Sequence, residues 1–160
     1  MRQRAWWRGR IARDEEELRS PLGERRCVYY ELWGFGVLSG RRLEAASCGF
    51  AFEHEGAVVR VDRAGLRFER EHLTARRLWT NDAAGLSAAR RLLARFGIAG
   101  ERWYEARILE VAEWTVEIGD EVEIYGELRD VIDPAVGEVG YREAPRGAEL
   151  VARTLRRRPG

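Results

Sequence analysis

The chain has 160 residues, of which 45% are hydrophobic and 34% charged, and its formal net charge at pH 7 is +1. This length and balance are typical of one globular domain and argue against a disordered chain. A net charge so close to zero predicts no bulk attraction to nucleic acid or anionic lipid. All 28 basic residues are Arg, which excludes lysine Schiff-base chemistry.

The start of the chain does not look like a targeting segment. Residues 1–13 alternate Arg with Trp6, Trp7 and Ile11 and lack the apolar centre of a signal peptide. A run of about 18 apolar residues, which a membrane-spanning helix needs, is also missing from the sequence. We therefore expect a soluble, cytoplasmic protein, in which Cys27 and Cys48 stay reduced and pack in the core.

The first predicted elements are two strands and the turn between them. Residues 9–12 predict a short strand, and residues 26–38 predict a long central strand rich in β-forming side chains. Before the second strand, Ser20 begins a tight turn, because Pro21 fixes its own φ and Gly23 permits a positive φ.

A hairpin and a helix follow. Residues 48–53 and 57–62 alternate apolar and polar side chains, which predicts two half-buried strands joined at residues 54–56. From residue 83 to 96 the apolar spacing changes to three and four residues, and Gly97 can end this helix.

The last third returns to alternation. Residues 114–118 and 122–124 predict a second hairpin with one buried and one solvated acidic face, the latter formed by Glu113, Glu117, Glu121, Glu123 and Glu127. Residues 139–143 and 149–155 predict a last pair of strands, and residues 156–160 a disordered basic tail.

Strands therefore dominate, with one helix inserted around residues 83–97. The predicted class is mainly antiparallel β (α+β), as an OB-like or partly open β-barrel in a single domain over residues 1–155. An open sheet with the helix across one face is the alternative.

No pattern in the sequence predicts catalysis, a cofactor or a metal. The four candidate metal ligands, Cys27, Cys48, His54 and His72, include no CxxC or HxxxH pair. His54 between Glu53 and Glu55 is interpreted as part of a solvated turn, because neighbouring strand residues point to opposite faces. The sequence also lacks the motifs of serine hydrolases, NTPases, zinc proteases and dinucleotide-dependent enzymes.

One segment predicts a contact surface. Trp6, Trp7, Arg8 and Arg10 combine the aromatic and Arg side chains that are enriched at protein interfaces and that also suit a peripheral membrane contact. The alternative is that one of the two Trp side chains closes the bottom of the barrel.

Several stretches resemble, in order, the GIDE domain. They are residues 9–11, 20–32 and 50–62, the helix ending at residues 97–98, and residues 113–128, so that the resemblance covers about residues 8 to 130. In eukaryotic members this domain lies beside the membrane in MULAN/MAPL-type mitochondrial E3 ligases and plastid relatives, and stand-alone bacterial relatives exist. Arg63 departs from the family pattern, in which a Pro follows the Asp.

The resemblance implies a β domain that recognises target proteins. It does not imply ubiquitin-ligase activity, because the closely spaced Cys and His pairs of a RING are missing from this sequence. We expect a non-enzymatic module that binds another protein, in a larger assembly or near a membrane. Binding of single-stranded nucleic acid on an OB-like barrel is the alternative function.

Overall fold

The computed structural model describes residues 4–36, 40–95, 110–132 and 146–158. In chain order, the elements in these ranges are β1 (Arg4–Arg13), β2 (Leu18–Arg19), β3 (Arg26–Phe35), β4 (Gly40–Ser47), β5 (Phe50–His54), β6 (Ala57–Asp62), β7 (Arg67–Phe68), a 3₁₀ turn (Arg70–His72), β8 (Thr74–Trp79), α1 (Ala83–Ala94), β9 (Glu110–Glu117), β10 (Glu121–Ile132) and β11 (Arg146–Arg157).

The chain forms two compact units, each built from segments that are distant in sequence. The barrel unit consists of Met1–Glu17, Gly49–Leu73 and Ile118–Gly160, and the sheet unit consists of Leu18–Cys48 and Thr74–Glu117. The chain leaves the barrel unit twice to build the sheet unit. The single domain that the sequence predicted over residues 1–155 stays a prediction.

Five of the described strands close into a barrel. β1 pairs with β5, β5 with β6, β6 with β11, β11 with β10, and β10 with β1, and only the β6–β11 pairing is parallel. This is the strand order of an OB-fold. The predicted OB-like barrel of mainly antiparallel strands is therefore confirmed, and the short β7 adds to β11 outside the ring.

Alternation along the strands places one side of each in the barrel core. Phe52 lies opposite both Ile11 and Val59, and all three side chains are almost fully buried. Gly9 lies on the same side of β1 as Ile11, and a Cβ atom at Gly9 would come within 2.7 Å of the Phe52 ring. The backbone of β1 thus approaches β5 closely, which only a residue without a side chain allows.

The sheet unit is an open sheet with a helix packed on one face. β9 lies between β3 and β8, and both β2 and β4 pair with β3. Ala89 and Leu92 of α1 pack against Leu32 of β3 and Val111 of β9. An open sheet with the helix across one face, which the sequence analysis gave as the alternative to the barrel, describes this second unit.

The predicted helix is confirmed as α1, from Ala83 to Ala94. The Asp82 carboxylate accepts a hydrogen bond of 2.6 Å from the Gly85 N–H, as a helix N-cap does. Gly97, which the sequence assigned to the end of this helix, lies outside the described residues, as do residues 37–38 of the predicted long strand and the strand predicted at 139–143.

The hairpin predicted over residues 114–124 is wrong. β9 and β10 follow each other with a turn at Gly119, but among the described strands β9 pairs with β3 and β8, and β10 with β1 and β11. The short turn that suggested a hairpin instead connects a strand of the sheet unit to a strand of the barrel unit.

The acidic face predicted for these strands is also wrong. Glu113, Glu123 and Glu127 are 0%, 6% and 7% exposed, and of the five predicted carboxylates only Glu121 is in the exposed class. The buried three accept hydrogen bonds, Glu113 from backbone N–H groups and the other two from Arg side chains. Such partners are what makes burial of a carboxylate tolerable.

Candidate functional site

β1 sorts the four predicted contact residues onto two sides. Trp6, Arg8 and Arg10 are exposed and alternate with the less exposed Ala5, Trp7 and Gly9. Because side chains alternate along a strand, the first three share the outer face of the barrel. The structure thus brings together three of the four residues and places Trp7 on the other side.

Trp7 belongs to the inner side of β1. It lies opposite the fully buried Ile124, and its indole N–H donates a hydrogen bond of 3.1 Å to the carbonyl oxygen of Gly126. Its ring also meets the His54 ring edge-on, with centroids 5.3 Å apart. Trp7 therefore supports the barrel, and the two Trp residues do not form a one-sided aromatic anchor.

Trp6 forms an exposed cluster with side chains of two neighbouring strands. It is 41% exposed and lies opposite Tyr125 of β10, with ring centroids 5.5 Å apart. The guanidinium carbon of Arg156 in β11 lies 4.1 Å from the Trp6 ring centroid, within the range of a cation–π interaction. Trp6 is therefore held in one orientation while much of its surface stays accessible.

Glu123 connects the same three strands and lies two residues from Tyr125, on the same side of β10. Its two carboxylate oxygens accept hydrogen bonds of 2.9 Å from Nε of Arg8 and from Nε of Arg156. These hydrogen bonds, of which that from Arg156 has the larger effect, hold the pKa of Glu123 below its ordinary value. An ionised Glu123 thus fixes the Arg156 guanidinium that stacks on Trp6.

A groove continues this face beyond Glu123. It has a volume of about 550 Å³ and is lined by Arg8, Gly9, Arg10, Glu53, Gly56, Val58, Glu121, Val122 and Arg158. The Glu121 side chain lies between those of Arg10 and Arg158, but its carboxylate oxygens are 3.7 Å from Nη2 of Arg10 and 4.0 Å from Nη1 of Arg158. We call the whole surface the Trp6 face, defined by Trp6, Arg8, Arg10, Glu121, Glu123, Tyr125, Arg156 and Arg158.

The sequence reasoning missed the β10 and β11 members of this face. It treated Arg156 and Arg158 as part of a disordered tail, yet β11 runs to Arg157 and the Arg158 N–H donates to the Glu121 carbonyl oxygen at 3.0 Å. Alternation in β10 could have placed Glu121, Glu123 and Tyr125 on one face. The pairing of β10 with β1 and β11 could not be found from local spacing.

Two of the four candidate metal ligands, His54 and Cys27, have structural settings that do not suggest catalysis. The carbonyl oxygen of Arg8 accepts a hydrogen bond of 2.8 Å from Nδ1 of His54, which anchors the end of β5. Burial, together with the nearby Glu113 carboxylate, raises the pKa of the Cys27 thiol to about 12. Cys27 is therefore protonated, the form that is not nucleophilic.

No group of three or more His, Cys, Asp or Glu side chains in the described ranges is placed to hold a metal ion. No helix in the same ranges is long and apolar enough to cross a bilayer.

Comparisons of the chain with protein-family models, with curated proteins and with solved structures found no match. Any functional conclusion therefore rests on the geometry of the Trp6 face and on the sequence itself.

Proposed function

We propose that this protein is a non-enzymatic module of GIDE type that recognises another protein through the Trp6 face. The observation that carries the proposal is the exposed Trp6, held between the Tyr125 ring and the Arg156 guanidinium. Trp, Tyr and Arg are the residues that most often contribute the largest share of binding energy at protein interfaces.

The Trp6 face is organised before any partner arrives. Its aromatic and basic side chains project from three paired strands of a closed barrel, and Glu123 ties Arg8 to Arg156. Side chains that are already ordered lose less conformational entropy on binding, which favours affinity. A rigid aromatic and Arg cluster on an outer surface therefore supports recognition.

The sequence supports the same proposal. The stretches that resemble the GIDE domain include the β5–β6 hairpin and most of β10, and the family's ligases use this domain to recognise target proteins. The proposal includes a cytoplasmic location, with which Cys27 and Cys48 agree, because both are buried and neither forms a disulfide.

The nucleic-acid alternative has weaker support from the barrel surface. Single-stranded nucleic acid stacks on aromatic side chains, and OB-folds bind it mainly on the face of their second and third strands. Here those strands are β5 and β6, whose cross-strand pairs Ala51–Arg60 and Glu53–Val58 lie on the side opposite to Phe52 and contain no ring. Ala51 is buried and the other three are exposed. We therefore favour a protein partner.

The proposal is tested by crosslinking and affinity purification from the native host with the wild type, Trp6→Ala and Trp79→Ala. Trp79 is a matched control, because it is 53% exposed but belongs to the sheet unit. We expect specific crosslinked partners to be recovered with the wild type and with W79A. With W6A, the recovered amount of these partners should fall at least tenfold. Equal recovery with W6A, at unchanged thermal stability, would rule out the Trp6 face.

A further inference from the structure

The outer face of the barrel carries a repeated arrangement of charge. Two Glu side chains of β10 each lie between one Arg of β1 and one Arg near the end of β11: Glu123 between Arg8 and Arg156, and Glu121 between Arg10 and Arg158. Four Arg therefore face two Glu. These four Arg and two Glu have an excess of two positive charges, although the whole chain has a net charge of only +1.

We call these two sets, Arg8–Glu123–Arg156 and Arg10–Glu121–Arg158, the first and second rows. They differ in how closely the carboxylate contacts its two Arg partners. Glu123 makes contacts of 2.8–2.9 Å and its side chain is 8% exposed, so the first row is a closed network. The Glu121 carboxylate is 3.7 Å and 4.0 Å from the guanidinium groups of Arg10 and Arg158, and this side chain is 60% exposed. Arg10 and Arg158 thus retain donors that a ligand can use, because an Arg fork can bind a second carboxylate.

We propose that the partner presents an acidic peptide segment, whose carboxylates bind Arg10 and Arg158 in the groove while an apolar side chain packs on Trp6. This inference rests on the proposed function and names the chemistry of the partner. The exposed Val58 in the groove wall gives the segment an apolar contact beside its carboxylates.

The geometry also sets a spacing for the segment. Trp6 and Arg10 lie four residues apart on the same side of β1, which corresponds to roughly 13 Å at about 3.3 Å per residue. An extended peptide that runs along β1 covers this distance with four residues. The segment therefore needs an apolar residue and an acidic residue about four positions apart.

The groove suits a carboxylate better than a nucleic-acid backbone. Its lining contains two carboxylates, Glu53 and Glu121, beside three Arg, so that a closely spaced row of phosphates meets repulsion as well as attraction. A short acidic peptide places one or two charges at Arg10 and Arg158 and keeps its other residues away from the two Glu.

The test uses fluorescence anisotropy with a labelled 12-residue Gly/Ser peptide that carries Leu and, four positions later, a Glu-Glu pair. Control peptides carry Lys-Lys in place of Glu-Glu, or the Leu only two positions from the pair. We expect the acidic peptide to bind the wild type more tightly than either control peptide, and its affinity to fall as the salt concentration is raised. Its affinity for the Arg10→Gln/Arg158→Gln double variant should be at least tenfold lower.

Charge reversal separates recognition from a folding defect. The Arg10→Glu/Arg158→Glu variant is expected to bind the Lys-Lys peptide and to lose the Glu-Glu peptide. Failure of the acidic peptide to bind the wild type, unchanged affinity with R10Q/R158Q, or tighter binding of a 12-nucleotide single strand would overturn the inference. If W6A still loses the native partner while R10Q/R158Q does not, the proposed function stands and the acidic segment is rejected.

Discussion

The carboxylate of Glu113 in β9 accepts a hydrogen bond of 2.6 Å from the backbone N–H of Leu22, 91 residues earlier in the chain. Its other oxygen accepts a hydrogen bond of 3.2 Å from the N–H of Gly23. Glu113 is 0% exposed, so one buried carboxylate holds the turn that leads into β3. Within the sheet unit, the Glu113 side chain thus accepts the two backbone hydrogen bonds that a neighbouring strand would otherwise accept.

Replacement of Glu113 should therefore destabilise the protein. Glu113→Ala leaves two N–H groups without their acceptor, and we expect a loss of about 2–4 kcal/mol in the free energy of unfolding. Glu113→Gln keeps one acceptor oxygen but turns an amide N–H₂ towards the second N–H, so we expect a loss of about 1–2 kcal/mol. Urea denaturation measures both values, and hydrogen exchange at Leu22 and Gly23 should accelerate in both variants.

The exposed Glu71 provides the control, since Glu71→Gln should change stability by no more than about 0.5 kcal/mol. If E113Q is as stable as the wild type, the cost of burying the charge equals what its hydrogen bonds contribute. The view of Glu113 as the residue that fixes the turn would then be wrong.

The contrast between Glu113 and Glu121 shows what the sequence could not predict. Both alternate with apolar residues, yet the first is fully buried and the second exposed. Period-2 alternation shows that two sides differ, but not which strand lies beside each side. The barrel strands, at least in part, the helix and the barrel class followed from local patterns, whereas β4 and β8 were not predicted. The partners of β9 and β10 are distant in sequence, so local patterns do not contain them.

The candidate surface was predictable to the same extent. Alternation alone groups Trp6 with Arg8 and Arg10 and separates Trp7 from them, because successive side chains point to opposite faces. The remaining members, Tyr125 and Arg156, reach this face only through the register of β1 with β10 and of β10 with β11. No spacing within β1 contains that register.

Gly9 offers a test of the closed barrel. A Cβ atom there would meet the Phe52 ring and the carbonyl oxygen of Glu53, neither of which can move without disturbing β5. We therefore expect Gly9→Ala to cost at least about 2 kcal/mol of stability. Thermal and urea unfolding, followed by circular dichroism, measure this loss.

Gly49 is the matched control for this substitution. The nearest atom to a Cβ at Gly49 is a carboxylate oxygen of Asp14 at 4.0 Å, so Gly49→Ala should change stability by about 0.5 kcal/mol or less. If the two variants unfold alike, β1 does not approach β5 as closely as the barrel requires.

The lowered pKa of Glu123 should make the stability of the protein depend on pH. The hydrogen bonds from Arg156 and Arg8 lower its pKa in the folded state. Its contribution to stability is therefore complete above the pKa of the carboxyl in the unfolded chain, about 4.3, and is lost as the pH falls through the lower folded value. We expect the free energy of unfolding of the wild type to exceed that of Glu123→Gln by roughly 1 kcal/mol at pH 7. This difference should shrink steadily as the pH falls below about 4.3.

The two Arg partners should contribute unequally to this effect. Because the hydrogen bond from Arg156 lowers the Glu123 pKa more than that from Arg8 does, Arg156→Ala should remove more of the pH dependence than Arg8→Ala. Urea midpoints at pH 7 and pH 3 for the four proteins test both statements. If the wild type and E123Q lose stability in parallel, Glu123 does not hold the Arg156 guanidinium on Trp6, and the Trp6 face would be less ordered than the recognition of a partner requires.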